Sequence, residues 1–229
     1  MYKRQAYVDI ANERAAVRAL LDRDGEARER GVALVTGAGF GLAATESLVL
    51  SLLAEGARPA RVLVAAAAAT AYDTEGVRTT VSEALAEGAT SYRDGALVHA
   101  RLGSGAVSLS FGGAARRMIP VPVGDLEAAL RISGAPDVTT YAALPGSSAP
   151  DTRSYAYAEL VDDEGRTHSA ELSTGEGFAF TASIAAETAI RLLGGARPGA
   201  WTPCHLLGVD LVTGLSGTSV EIAALRSGR

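Results

Sequence analysis

The sequence predicts an α/β region followed by an α+β region, the latter a mixed, mostly antiparallel sheet with helices. Three observations carry this prediction. Residues 6–87 alternate short apolar runs with helical patterns, the signature of strand–helix units. Beyond Ser91 the runs become short and extended and are separated by glycine pairs, as in a meander. SYAYAELV (154–161) and THSAELS (167–173) alternate strictly around DDEGR, which makes a hairpin. A pure doubly wound fold would keep alternating to its end.

Taken in order, AYVDI (6–10) is a short strand, and Asn12 N-caps a helix over 13–30 with Val17, Leu20 and Leu21 as its apolar stripe. VALVT (32–36) is continuously apolar, as in a parallel sheet covered on both faces. A helix over 42–55 follows, with Leu42, Leu48, Leu52 and Leu53 inward, and ends near Gly56 and Pro59. RVLVAAA (61–67) is a strand, and a helix over 77–87 stops at Gly88. ALVHARL, AVSLSF and RRMIPVPV are extended, and GDLEAALRIS (124–133) is a short helix with Asp125 at its start. DVTTYAAL (137–144) is a strand, and GFAFTASIAAETAIRLL (177–193) is the most periodic helix, closed by Gly194 and Gly195.

The 229 residues are 48% hydrophobic and 21% charged with a formal charge of −5, which is enough apolar residue for a core. Acidic and basic residues are interspersed, so neither a nucleic-acid-binding stripe nor a polybasic membrane anchor is expected. The longest apolar run, VLVAAAAATA, is too short for a membrane span. A single cysteine, Cys204, precludes an internal disulfide and fits a cytoplasmic location. The scattered His99, His168 and His205 offer no metal spacing, so no metal is expected. The one lysine, Lys3, sits in the opening MYKRQ, a pentapeptide that GTG-TAT-AAG-AGA-CAG would encode. Those codons resemble the end of a transposase sequencing adaptor. Residues 1–5 are therefore expected to be a scar, and the chain the C-terminal part of a longer protein.

TGAGFG (36–41) invites comparison with a phosphate-binding turn. G-x-G-x-x-G would need a glycine where Leu42 stands; the short-chain dehydrogenase pattern matches at Thr36, Gly37 and Gly41 but meets Ala43 at its last glycine. A short-chain dehydrogenase also needs a lysine four residues beyond its tyrosine, and no lysine follows residue 3. RVLVAAA ends without the acid that would hold a ribose. The glycines are better read as letting a strand turn sharply into a helix.

From AYVDIANE (6–13) and GAGF (37–40) onward, the chain resembles the saccharopine dehydrogenase-like family, in particular its bacterial branch of trans-acting enoyl reductases. GVRTTVSEAL (76–85), RDGALV (93–98), FGGAARRMIPVPVGDLEAA (111–129) and GAPDVTTYAAL (134–144) follow in the family's order. TGEGFAFTASIAAETAIRLL (174–193) and WTPCHLLGVDLVTGLSGT (201–218) complete it, so the resemblance spans residues 6–218. It implies an oxidoreductase using NAD or NADP to exchange hydride with a C=C or C=N bond of a small-molecule substrate. Residues 6–40 would be the end of a Rossmann domain whose N-terminal half, with the phosphate loop, is missing. Residues 41–229 would be the α+β substrate domain. The chain departs from the family where an Asp often follows the turn phenylalanine, a position held here by Gly41.

The resemblance, with the rule that ligands sit at the carboxyl ends of parallel strands, puts Asp9, Glu13, Gly37, Gly39 and Phe40 beside the nicotinamide half of the cleft. Asp9 has a second possible role, hydrogen-bonding backbone amides. Arg78, Thr79 and Ser82 at a helix start would meet an anionic or carbonyl group of the substrate, or simply cap the helix. Tyr141 is a proton donor or a core residue, and Arg116 and Arg117 read as solvated rim. The catalytic residue itself is left open, since hydride transfer is the coenzyme's chemistry. Two alternatives stand beside this reading: a complete short-chain dehydrogenase using TGAGFG, and a non-enzymatic binding or dimerisation module. A homodimer is compatible with each.

Overall fold

The computed structural model describes residues 5–56, 58–69, 75–143 and 152–227, which leaves the expected scar, apart from Gln5, outside the described residues. In chain order the elements begin β1 (Tyr7–Val8), α1 (Arg14–Leu21), α2 (Asp24–Arg30), β2 (Ala33–Val35), α3 (Phe40–Ala54), β3 (Pro59–Ala67) and α4 (Glu75–Glu87). Next come β4 (Ala89–Arg93), β5 (Ala96–Ala100), β6 (Val107–Phe111), β7 (Ala114–Pro120), α5 (Asp125–Ser133) and β8 (Asp137–Ala143). The last are β9 (Ser154–Asp162), β10 (Arg166–Thr174), α6 (Gly177–Leu193), β11 (Gly199–Trp201), α7 (Pro203–Leu207), α8 (Asp210–Thr213) and β12 (Ser219–Ser227).

Two sheets result, as the α/β-then-α+β reading requires. The smaller is parallel, in the order β1-β2-β11. The larger runs β12-β10-β9-β3-β8-β4-β5, with the β6–β7 hairpin joined to β8. Only β3 and β8 pair in parallel within it, and the other pairs are antiparallel. The closing segment returns to the first sheet, because β11 pairs with β2.

Helix α3 is central. It lies against β9, β10 and β3 and also touches α5, α6 and α7. Ten of its fifteen residues are buried, which leaves it no solvent face and explains why FGLAATESLVLSLLA carries one charge. Leu48 and Leu52 join Val62, Val64, Val138, Ala158, Leu160 and Leu172 from the sheet in the main core. On the other face the β6–β7 hairpin folds over, stacking Phe111 on Tyr157 with ring centroids 5.7 Å apart. Its tip is fastened where Gly112 N–H donates to Glu171 Oε2 at 2.8 Å.

Three features depart from the sequence pattern. The single helix expected over 13–30 breaks between Leu21 and Asp24, because Asp24 starts a second helix and its Oδ1 accepts Ala200 N–H at 2.9 Å. Leu20 and Leu53, expected inward, are half-buried. Strands β11 and β12 have no counterpart in the sequence reading, as GAW is too short to show alternation.

The edges of the small sheet differ. At β11 the outward-facing amide and carbonyl of Ala200 are both satisfied by side chains, Asp24 at 2.9 Å and Arg131 Nη2 at 3.1 Å. Such plugging closes a sheet edge to further strands. At β1 the outer edge pairs with no strand among the described residues, and Tyr7 and Ile10 beside it are 47% and 58% exposed.

A buried ionic group joins the two parts. Glu127 of α5, 2% exposed, accepts from Arg14 Nη1 at 3.1 Å and from the Tyr92 hydroxyl at 3.0 Å. Arg14 also meets Glu87 of α4 at 2.8 Å. Removing one member of such a group strands the other in low dielectric. Glu127→Ala is expected to lower unfolding free energy by about 3 kcal/mol in urea melts; a loss under about 0.5 kcal/mol would show that the contact holds nothing.

Candidate functional site

The candidate site lies where β1 and β2 end. Asp9 leaves β1 and turns its carboxylate back onto the following loops. Its Oδ1 accepts from Ala11 N–H at 3.0 Å, Thr36 Oγ1 at 2.8 Å and Gly37 N–H at 3.1 Å. The Asp9 carbonyl accepts Ala38 N–H at 2.9 Å, and Gly39 N–H donates to the Gly37 carbonyl at 2.8 Å. Phe40 N–H donates to Thr181 Oγ1 at 3.0 Å. The amides of residues 37–40, which a pyrophosphate would need, therefore all have acceptors within the chain.

The glycines have different reasons. Gly37 has φ +77° and a Cβ there would stand 2.4 Å from Leu42 Cδ1, so the position admits glycine alone. At Gly39 the backbone is extended, with φ −134°, and a Cβ would make ordinary contacts with Thr181. Phe40 is buried and packs edge-on against Phe180 at 5.5 Å.

A half-buried acid, Glu13, and a buried one, Asp125, flank this turn. Glu13 pairs through its backbone with Val123, and Gly124 N–H donates to the Asn12 carbonyl at 2.8 Å, which brings α5 alongside. Asp125, at the start of α5, is 4% exposed and accepts Thr45 Oγ1 at 2.8 Å. Burial pushes its carboxyl above the ordinary range. A Cβ on Gly41 would lie 3.4 Å from Asp125 Oδ2 and 3.5 Å from Asn12 Oδ1. An aspartate at 41 would set a second carboxylate against Asp125.

Glu46, 1% exposed, is the charge inside α3. It accepts the Thr202 hydroxyl, Cys204 N–H at 2.8 Å and His205 N–H at 3.2 Å, which ties the first turn of α7 to α3. Burial pushes its carboxyl up to about 7, against the pull of those three donors. Sequence reasoning missed Glu46 as a site residue; its signal was a lone acid in an otherwise uncharged helix. The start of α6 is closed likewise, with Glu176 accepting Phe178 N–H at 3.0 Å and Ala179 N–H at 2.8 Å.

The remaining sequence candidates lie on other elements. Arg78, Thr79 and Ser82 are exposed on α4, and Thr79 Oγ1 bonds back to the Glu75 carbonyl at 3.0 Å. Tyr141 is buried with Ala65, Phe111 and Met118 beneath the hairpin, on the sheet face opposite Val138 and α3, and burial raises its phenol. Arg116 is a correction to the rim reading: it is 5% exposed, 4.9 Å over the Tyr155 ring and 5.4 Å over Phe111. Strand alternation turns it inward with Met118 and leaves Arg117 outside. His99 bonds Thr90 at 3.2 Å, His168 lies 3.4 Å from Asp162, and His205 is edge-on to Trp201 at 5.2 Å.

No protein-family model matches the chain, and no curated protein matches it in sequence. Among solved structures it is similar to apo saccharopine dehydrogenase (L-Glu forming) from Saccharomyces cerevisiae, with a TM-score of 0.57 and 12% identity over 96% of this chain and 80% of that one. The fold is thus that of saccharopine dehydrogenase. No helix among the described residues is long and apolar enough to cross a membrane.

Two outcomes follow from this geometry. Because folded Glu46 holds its proton more tightly than the unfolded chain, its stabilisation is complete below pH 4.5 and is lost as pH rises through about 7. Unfolding free energy should fall by up to about 3 kcal/mol over that range, and Glu46→Gln should flatten the slope. Gly37→Ala should cost at least about 2 kcal/mol by chemical denaturation, combining a left-handed backbone with a clash at Leu42; a neutral result would contradict the assigned turn.

Proposed function

We propose that this chain is the substrate-side portion of a saccharopine dehydrogenase-like oxidoreductase of the trans-acting enoyl reductase type. The parent reaction is hydride exchange between NAD or NADP and a C=C or C=N bond of a small molecule. One observation carries the reading: the parallel sheet is sealed at β11 by Asp24 and Arg131, while β1 pairs on its outer side with no strand among the described residues. Further parallel strands, holding the coenzyme's phosphates, add at β1 alone. Residues 6–40 with β11 then belong to the Rossmann domain, the rest of the chain from residue 41 forms the substrate domain, and residues 1–5 are the adaptor-derived scar.

The 36–41 turn does not fit a dinucleotide phosphate, because the carboxylate and carbonyl of Asp9, the Gly37 carbonyl and Thr181 Oγ1 accept its donors from Thr36 to Phe40. No step is assigned to a coenzyme there. The same contact disfavours a complete short-chain dehydrogenase built on TGAGFG. In the proposed cleft Asp9, Glu13, Gly37, Gly39 and Phe40 form a rigid wall beside the nicotinamide half. Arg78, Thr79 and Ser82 at the start of α4 orient an anionic or carbonyl group of the substrate. The buried thiol of Cys204 suits a reducing, cytoplasmic setting.

Titrating the chain with NADH and NADPH and following their fluorescence tests this reading. Binding should be unsaturated at about 1 mM coenzyme, and should appear when the upstream half of the reading frame is supplied. Micromolar binding by the chain alone, lost in Gly39→Asp, where the backbone accepts a side chain, would instead establish the short-chain dehydrogenase reading.

A further inference from the structure

Asp9, Glu46 and Glu176 each accept backbone amides at the start of a loop or helix. Asp125 is used differently. Its Oδ1 accepts the Thr45 hydroxyl at 2.8 Å, and its Oδ2 is turned to position 41, where a Cβ would lie 3.4 Å away. Nothing in the backbone calls for glycine there. Gly41 lies in the first turn of α3 without a positive φ, and a Cβ would make ordinary contacts. Glycine also weakens a helix relative to alanine. What it provides is an atom-sized notch between Asp125 Oδ2 and Asn12 Oδ1, which is 3.5 Å from the same point. Gly41 is half-buried and Asn12 exposed, so the notch opens to solvent just beyond the carboxyl end of β1.

The surroundings of Asp125 set the form in which it faces the notch. Thr45 and Glu46 stand on α3, and Asn12 and Glu13 precede α1. Arg14 of α1 is turned to Glu87 and Glu127. Glu46 and Asp125 repel each other when both are charged. Burial without a facing cation among the described residues favours the protonated carboxyl. A protonated carboxyl donates a hydrogen bond, and the Asn12 amide can present either its oxygen or its NH₂.

We infer that the Gly41 notch binds the carbonyl oxygen of a neutral ligand, with Asp125 donating to it from below and Asn12 at the rim. Glu13 and Glu46 nearby disfavour an anion in the same place. The identity of that ligand as substrate rests on the proposed function. A C=C bond takes up hydride when a conjugated carbonyl oxygen can hold the negative charge that develops. A preorganised donor aimed at that oxygen stabilises the charge. Asp125 is thereby a substrate-binding residue, and Gly41 is the position that admits the substrate to it.

Crotonamide, a neutral unsaturated amide, is the probe, added to the ¹⁵N-labelled chain without coenzyme. The Gly41 and Thr45 amide signals and the Asn12 side-chain signals should move saturably, with Kd of about 1–10 mM. Gly41→Ala should abolish the movement at Thr45 while the urea midpoint holds or rises, because the methyl fills the notch and favours the helix. Wild-type binding should weaken as pH rises through the midpoint followed at the Asp125 ¹³Cγ, since the ionised carboxylate no longer donates. Asp125→Asn keeps a donor and should bind crotonamide equally across that pH range, which a purely structural Asp125 would not produce. No movement at about 100 mM crotonamide, unchanged binding in Gly41→Ala, or wild-type binding indifferent to Asp125 ionisation would each overturn the inference. The coenzyme titration reads the proposed function separately. If coenzyme never binds once the upstream half is supplied, that reading fails, while saturable crotonamide binding still supports the notch.

Discussion

The contact between the carboxylate of Asp9 and the turn at residues 36–37 fixes the arrangement around it. A strand that turns through glycines into a helix presents unsatisfied amides, and such a group attracts an anion. Here the anion is supplied by the preceding strand. One carboxylate oxygen joins the loops after β1 and β2, and a diffusing phosphate would have to displace it against like-charge repulsion. The same arrangement recurs at the start of α6 with Glu176 and at α7 with Glu46. These helix starts are spent on folding.

With the turn closed, the small sheet becomes a rigid piece whose two edges have different fates. Asp24 and Arg131 end it at β11; Asp24 reaches there because the helix expected over 13–30 breaks before it, and Arg131 reaches there from α5. The group around Glu127 holds that piece against the large sheet through Arg14 and Tyr92. Residues 9–13 and 36–41 are therefore positioned relative to the large sheet by contacts within the chain.

Much of the architecture was legible because periodicity reports burial directly. Helix α6, the β9–β10 hairpin and the α/β-then-α+β order all follow from spacing. The lack of lysine already weakened the dehydrogenase reading of TGAGFG. What escaped depends on residues far apart in sequence. Asp24 breaks a helix for the sake of Ala200, and Glu46 is buried for the sake of Thr202 and Cys204. Arg116 reads as rim until the hairpin folds over it. Sequence leaves two roles open for Asp9, and only the distances show it bonded to backbone amides.

The central claim is that Asp9, and no external phosphate, occupies the donors of the 36–37 turn. Amide NMR of the ¹⁵N-labelled chain during addition of inorganic phosphate, then NADPH, tests it most directly. The account predicts that the Gly37, Ala38, Gly39 and Phe40 signals hold their positions while the Gly37 amide resists exchange with solvent. Saturable movement of those four signals, with loss of the protection at Gly37, would contradict it.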